Sequence, residues 1–102
     1  MLASFFGAAK ISKDSKEYID TVRIGEILES KGYLIKNGGY FGLMEAVSIK
    51  SSNSIGYVCR TFEYIKGNGY LKEVIIANDI YARLRYLIED VDVYIVQSGG
   101  IG

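Results

Sequence analysis

The chain has 102 residues, twelve basic and twelve acidic, no histidine, proline or tryptophan, and 49% hydrophobic against 24% charged side chains, which predicts one globular domain over residues 1–102 and excludes disorder. Zero net charge gives no long-range field to gather a phosphate backbone, so sequence-independent binding of nucleic acid is not expected, whereas a small anion held by local donors is. Without histidine there is no Ser-His-Asp triad, no Cys-His pair and no ordinary zinc site, so no metal is expected and any chemistry must come from carboxylates, Arg, Lys, Tyr or backbone amides.

The opening MLASFFGAAK is too short and lacks the basic flank of a signal peptide, so Leu2 to Phe6 is read as a first buried strand. Asp14 with Glu17 three residues on is a capping-box pattern that starts a helix with apolar positions Tyr18, Val22, Ile24, Ile27 and Leu28, and Gly32 stops it. Tyr33 to Ile35 reads as a second strand, and after the loop Asn37 to Gly42 a second helix carries Leu43, Met44, Ala46, Val47 and Ile49. A polar Ser51 to Ser54 turn leads into a third strand, Ile55 to Cys59. Thr61 to Tyr70 is irregular, either a hairpin turn around Gly67-Asn68-Gly69 or a surface loop.

Val74 to Ala77 is a fourth strand, continuous with Leu71 in this reading. Asn78 or Asp79 then caps a third helix with the stripe Ile80, Leu84, Leu87, Ile88 and Val91. Val93 to Val96 is a fifth strand, followed by Ser98-Gly99-Gly100-Ile101-Gly102. Strands alternating with helices predict an α/β fold, a mostly parallel sheet with helices on both faces, and ligands bound beyond the carboxyl ends of the strands. No apolar run reaches the roughly twenty residues of a membrane span, so no membrane partner is expected. With Cys59 alone and unable to form an internal disulfide, a cytoplasmic location follows as the expectation.

Gly38-Gly39-x-x-Gly42 lies between a strand and a helix, where glycine permits both a tight turn and close approach of a phosphate to backbone amides; spacing alone does not choose between them. Gly99-Gly100-x-Gly102 is a second such cluster after a second strand, either a loose terminus or part of a phosphate cradle. On the third helix Arg83 lies roughly 80° and Arg85 roughly 120° from the centre of the apolar stripe. Arg83 therefore borders the core and can reach a phosphate or a carboxylate, whereas Arg85 faces water. Glu45 suits the helix dipole, Asp79 suits an N-cap, and Cys59 reads as a buried core thiol.

Two blocks together resemble a known family. Lys36-Asn37-Gly38-Gly39-Tyr40-Phe41-Gly42-Leu43-Met44-Glu45-Ala46 is similar to the GGxxGLMxA segment of the LOG-type cytokinin riboside 5′-monophosphate phosphoribohydrolases, often mislabelled lysine decarboxylases. Tyr81-Ala82-Arg83 and Asp92 to Gly102 resemble that family's second block, in which a helix arginine leads through a strand into PGGxGTxxE. The resemblance implies a Rossmann-like fold, usually dimeric, that binds a nucleoside 5′-monophosphate such as AMP and hydrolyses its N-glycosidic bond to free base and ribose 5-phosphate, with no cofactor. It assigns Arg83 to the catalytic site, and Gly38, Gly39, Gly42, Gly99, Gly100 and Gly102 to nucleotide and phosphate binding. Ser98 stands at the family's proline and Leu84 at its second basic residue, and the threonine and glutamate of GTxxE would follow Gly102. The expectation is thus the N-terminal part of a LOG-like domain, incomplete at the C-terminus and without its catalytic carboxylate. The alternatives are a non-catalytic nucleotide-binding or molybdenum-cofactor-carrier-like domain and an inert fragment.

Overall fold

A computed structural model describes residues 1–62 and 64–97. The elements run β1 (Leu2–Phe6), α1 (Lys16–Ser30), β2 (Leu34–Asn37), α2 (Leu43–Ile49), β3 (Ser54–Cys59), β4 (Glu73–Ala77), α3 (Ile80–Ile88) and β5 (Val93–Val96). The strands form a single sheet in the order β4-β3-β2-β1-β5, and every pairing is parallel. The fold is therefore the expected Rossmann-like α/β fold. No helix among the described residues is long and apolar enough to cross a membrane.

From β1 the chain steps through α1 and α2 toward β3, then returns through α3 from β4 at one edge to β5 at the other. Crossovers of one hand running in opposite directions fall on opposite faces of a sheet. Accordingly α1 and α2 cover the face carrying Ala3, Phe5 and Ile35, with Tyr18, Leu28, Leu43, Ala46 and Val47 completing that core. The alternate residues Lys36 and Tyr57 meet α3 on the other face: Lys36 Nζ donates to the carbonyls of Tyr86 (2.8 Å) and Glu89 (3.2 Å), and the Tyr57 ring stacks on Tyr86 at 5.3 Å. A lysine at the carboxyl end of a helix also complements the helix dipole. Tyr94 on β5 donates to the Ile88 carbonyl and ties the same helix end to the sheet edge.

Several details depart from the sequence reading. The N-cap of α1 is Ser15, one residue after Asp14, and its Oγ accepts from the Tyr18 amide at 3.2 Å, while the Asp14 amide donates to Ser12 Oγ. Parallel pairing of β3 with β4 excludes the hairpin at Gly67-Asn68-Gly69 and leaves the loop alternative: the connection is a crossover without a helix among its described residues. Leu71 stays outside β4, and its side chain packs over Gly56 and Gly67. Along α3 only Leu87 is buried, while Ile80, Leu84 and Ile88 stay 47%, 45% and 46% exposed. The helix rotates Arg83 inward, so part of its apolar stripe faces a cleft instead of the sheet.

Helices α1 and α2 meet at Gly25, where an added Cβ would lie 2.2 Å from the Val47 carbonyl oxygen. Mid-helix Gly→Ala ordinarily stabilises by about 1 kcal/mol, but this contact is with backbone, which cannot yield cheaply, and overpacking of this kind costs about 1–3 kcal/mol. Gly25→Ala is therefore expected to destabilise the chain by up to about 2 kcal/mol net in urea denaturation, and a stabilised variant would show that the helices can separate without loss.

Candidate functional site

All five strands point their carboxyl ends to one edge, and the chain reverses direction about β1, which lies between β2 and β5. This is where ligands bind in open parallel sheets. A cleft of about 960 Å³ opens there, with Phe6 and Gly7 from the end of β1, Gly38 after β2, and Ile80, Leu84 and Leu87 of α3 among its walls. The exposed stripe of α3 is thus largely cleft wall.

Arg83 projects from α3 into this cleft. Its Nε donates to the Tyr57 carbonyl at 2.7 Å and its Nη2 to the Gly38 carbonyl at 3.1 Å. The guanidinium carbon lies 5.4 Å from the Tyr40 ring and 5.8 Å from the Phe62 ring, and these two rings meet edge to face at 5.5 Å. Cation–π contacts of this kind stabilise a partly desolvated cation. Burial pulls the Arg83 pKa below the usual arginine value. Among the described residues Arg83 forms no salt bridge. Its five N–H donors serve two carbonyls and, at 4.0 Å, Met44 Sδ, so part of the fork is open to a ligand.

The glycines of the β2–α2 loop are required by the protein's own close contacts. A Cβ at position 38 would lie 2.2 Å from Arg83 Nη2, so Gly38 makes the room the guanidinium occupies. Gly39, at φ 81°, lies against Gly56 of β3, and Gly42, at φ 66°, would place a Cβ 2.4 Å from the Ala8 carbonyl oxygen. Positive φ and close contacts account for Gly39 and Gly42, whereas Gly38 faces Arg83 and lines the cleft. Gly38 and Arg83 come together in one site; Gly39 and Gly42 support it from behind; Gly99, Gly100 and Gly102 lie outside the described residues.

Asn68 is a residue the sequence reading missed. Buried in the β3–β4 connection, it donates from its amide to the Gly39 carbonyl (2.8 Å) and from Nδ2 to the Tyr40 carbonyl (2.7 Å). Its Oδ1 accepts from the Tyr70 amide at 3.0 Å. Asn37 supports the same loop from inside, its Oδ1 accepting from the Gly39 amide at 2.7 Å and its Nδ2 donating to Ser48 Oγ. A Gly-Asn-Gly run signals a turn, and only its burial reveals the clamp. Of the remaining candidates, Asp79 caps α3 through the Ala82 amide, Arg85 pairs with Glu89 in solvent, and Cys59 is a buried core thiol without a disulfide. Among the described residues no cluster of side chains could hold a metal.

Glu45, in the first turn of α2, is buried and accepts from Tyr18 OH at 3.0 Å, with Lys13 Nζ 3.6 Å away. It lies outside the cleft lining and joins α1 to α2.

No family model matches the chain, and no curated protein matches it. Among solved structures the chain is similar to TM1055, a structural-genomics target determined by X-ray crystallography, with TM-score 0.78 and 26% identity over 93% of this chain and 59% of that one. It is also similar in fold to DNA processing protein A from Helicobacter pylori, studied for its single-stranded DNA binding mode, with TM-score 0.68 and 16% identity over 94% of this chain and 53% of that one. The chain therefore spans well under two thirds of either relative.

Burial, then the hydrogen bond to Glu45, pushes the Tyr18 pKa up to about 12 from 10.0. A phenol whose folded pKa is raised contributes stability that is fully present below its unfolded pKa and lost as pH rises through the folded one. The contribution should disappear between pH 10 and 12. Tyr18→Phe is expected to flatten the fall of melting temperature across that window relative to the wild type, and identical slopes would remove Tyr18 from the alkaline transition.

Proposed function

We propose that the chain is a nucleotide-binding domain of LOG-like type that takes a nucleoside 5′-monophosphate in the cleft beneath α3, its phosphate directed to Arg83. The observation that carries this reading is the half-buried Arg83 guanidinium at the carboxyl edge of the sheet, without an ion-pair partner among the described residues. Desolvating a cation is costly, and a phosphate is the anion that a planar fork of N–H donors matches. The LOG resemblance adds phosphoribohydrolase activity to this proposal. There the leaving base departs as positive charge develops on the ribose, and a carboxylate must stabilise that charge.

No aspartate or glutamate lines the cleft among the described residues. This favours a second reading for residues 1–102 alone, binding without hydrolysis. Zero net charge and a lining that, among the described residues, holds Arg83 but no lysine favour a small ligand over a single strand of DNA, which needs a basic track along its backbone.

Isothermal titration with AMP tests the proposal. Binding is expected, with Arg83→Gln weakening it by about 2 kcal/mol, roughly thirtyfold, Arg83→Lys restoring only part of the loss, and an oligothymidylate giving no heat. No AMP binding by a chain that melts cooperatively would overturn it. Release of adenine by the chain itself would overturn the binding-only reading of residues 1–102.

A further inference from the structure

All four phenylalanines of the chain, Phe5, Phe6, Phe41 and Phe62, line this one cleft. Phe5 is core, and Phe62 is engaged with Tyr40 around Arg83. Phe41 has no such employment. It precedes α2 at the end of the β2–α2 loop, remains 45% exposed, and touches Tyr64 of the β3–β4 connection, itself 44% exposed, with ring centroids 5.5 Å apart and planes tilted by 42°. Two loops thus each present a ring at the mouth of the cleft. Large apolar rings left in water are unfavourable, and grouped at a cleft mouth they mark a surface that a ligand covers.

The cleft is ordered from inside out as a cation, an inner ring pair wrapped around it, and an outer ring pair facing solvent. Its charged lining is a single arginine among the described residues. Such a lining matches a ligand with one compact anionic group and one flat apolar ring, and it is poorly matched to a bare sugar phosphate or a polyphosphate. We infer that Phe41, supported by Tyr64, is a stacking subsite for a planar heteroaromatic base, so that the cleft selects a nucleotide by its ring as well as by its phosphate. This rests on the nucleotide reading above and adds to it the residues that recognise the base. Ring-on-base stacking tolerates any base, because each has a π face, so the subsite distinguishes nucleotides from sugar phosphates more sharply than one base from another.

The test is titration of the chain with AMP and with ribose 5-phosphate, repeated for Phe41→Ala, Phe41→Leu and Tyr64→Ala, with thermal melts showing that each variant folds. AMP is expected to bind the wild type about tenfold or more tightly than ribose 5-phosphate, within the range found for base–aromatic stacking. Phe41→Ala should bring AMP down to the ribose 5-phosphate affinity and leave ribose 5-phosphate unchanged. Phe41→Leu, which keeps apolar bulk and removes the π face, should behave like the alanine variant toward AMP, and Tyr64→Ala, on the other loop, should lower AMP affinity in the same selective way. Equal affinities of the two ligands in the wild type, equal losses for both in Phe41→Ala, or full AMP affinity in Phe41→Leu would overturn the subsite and leave the anion site on Arg83 standing. No binding of either ligand would overturn the subsite together with the nucleotide reading beneath it.

Discussion

The guanidinium of Arg83 is desolvated by neutral partners. Two backbone carbonyls and the faces of two aromatic rings take the place of water around it. Carbonyl dipoles and ring quadrupoles lower the cost of burial without cancelling the charge. The positive potential therefore survives inside the cleft, as it would not beside a carboxylate. Around this placement α3 turns its arginine toward the sheet and leaves Ile80, Leu84 and Ile88 exposed, a side chain at position 38 would have to displace the guanidinium, and Tyr40 and Phe62 meet from separate loops.

The surrounding framework is built from backbone contacts and buried amides more than from side-chain packing. Gly39 lies against Gly56, Gly42 against the Ala8 carbonyl, and Gly25 against the Val47 carbonyl, each at a distance that a Cβ would prevent. Asn68 and Asn37 hold the β2–α2 loop from opposite sides with geometry that satisfies their own polar groups. A buried amide fully paired in this way confers order, where an unpaired one would cost stability.

The strands were the most legible part of the sequence, because buried parallel strands are short apolar runs between polar turns; Leu2–Phe6 and Val93–Val96 appear with the boundaries expected of them. The stripe of α3 was legible as a helix and misleading as to its face. Periodicity reports which residues share a side, and the helix here follows the bonding demands of Arg83 instead of the apolar majority. The β3–β4 connection misled for another reason: a Gly-Asn-Gly run signals a bend locally, while parallel or antiparallel pairing is decided by strands far from it. Gly38 and Arg83 were each visible as candidates, but their contact joins residues 45 positions apart and depends on topology. Asn68 carried no signal of burial at all.

Because the loop geometry is set where backbone meets backbone, the rings at the cleft mouth contribute little to holding the fold. Positions 41 and 64 are exposed and attached to a scaffold whose alignment is fixed behind them. The molecule thus separates into a part that must stay constant for the chain to fold and a part that can drift. On the proposed nucleotide reading, a descendant with small or polar residues at those two positions would keep the same sheet, the same arginine and the same loop while accepting a different body on the same anionic head. Selectivity in such a scaffold can diversify by single substitutions, without passing through a destabilised intermediate.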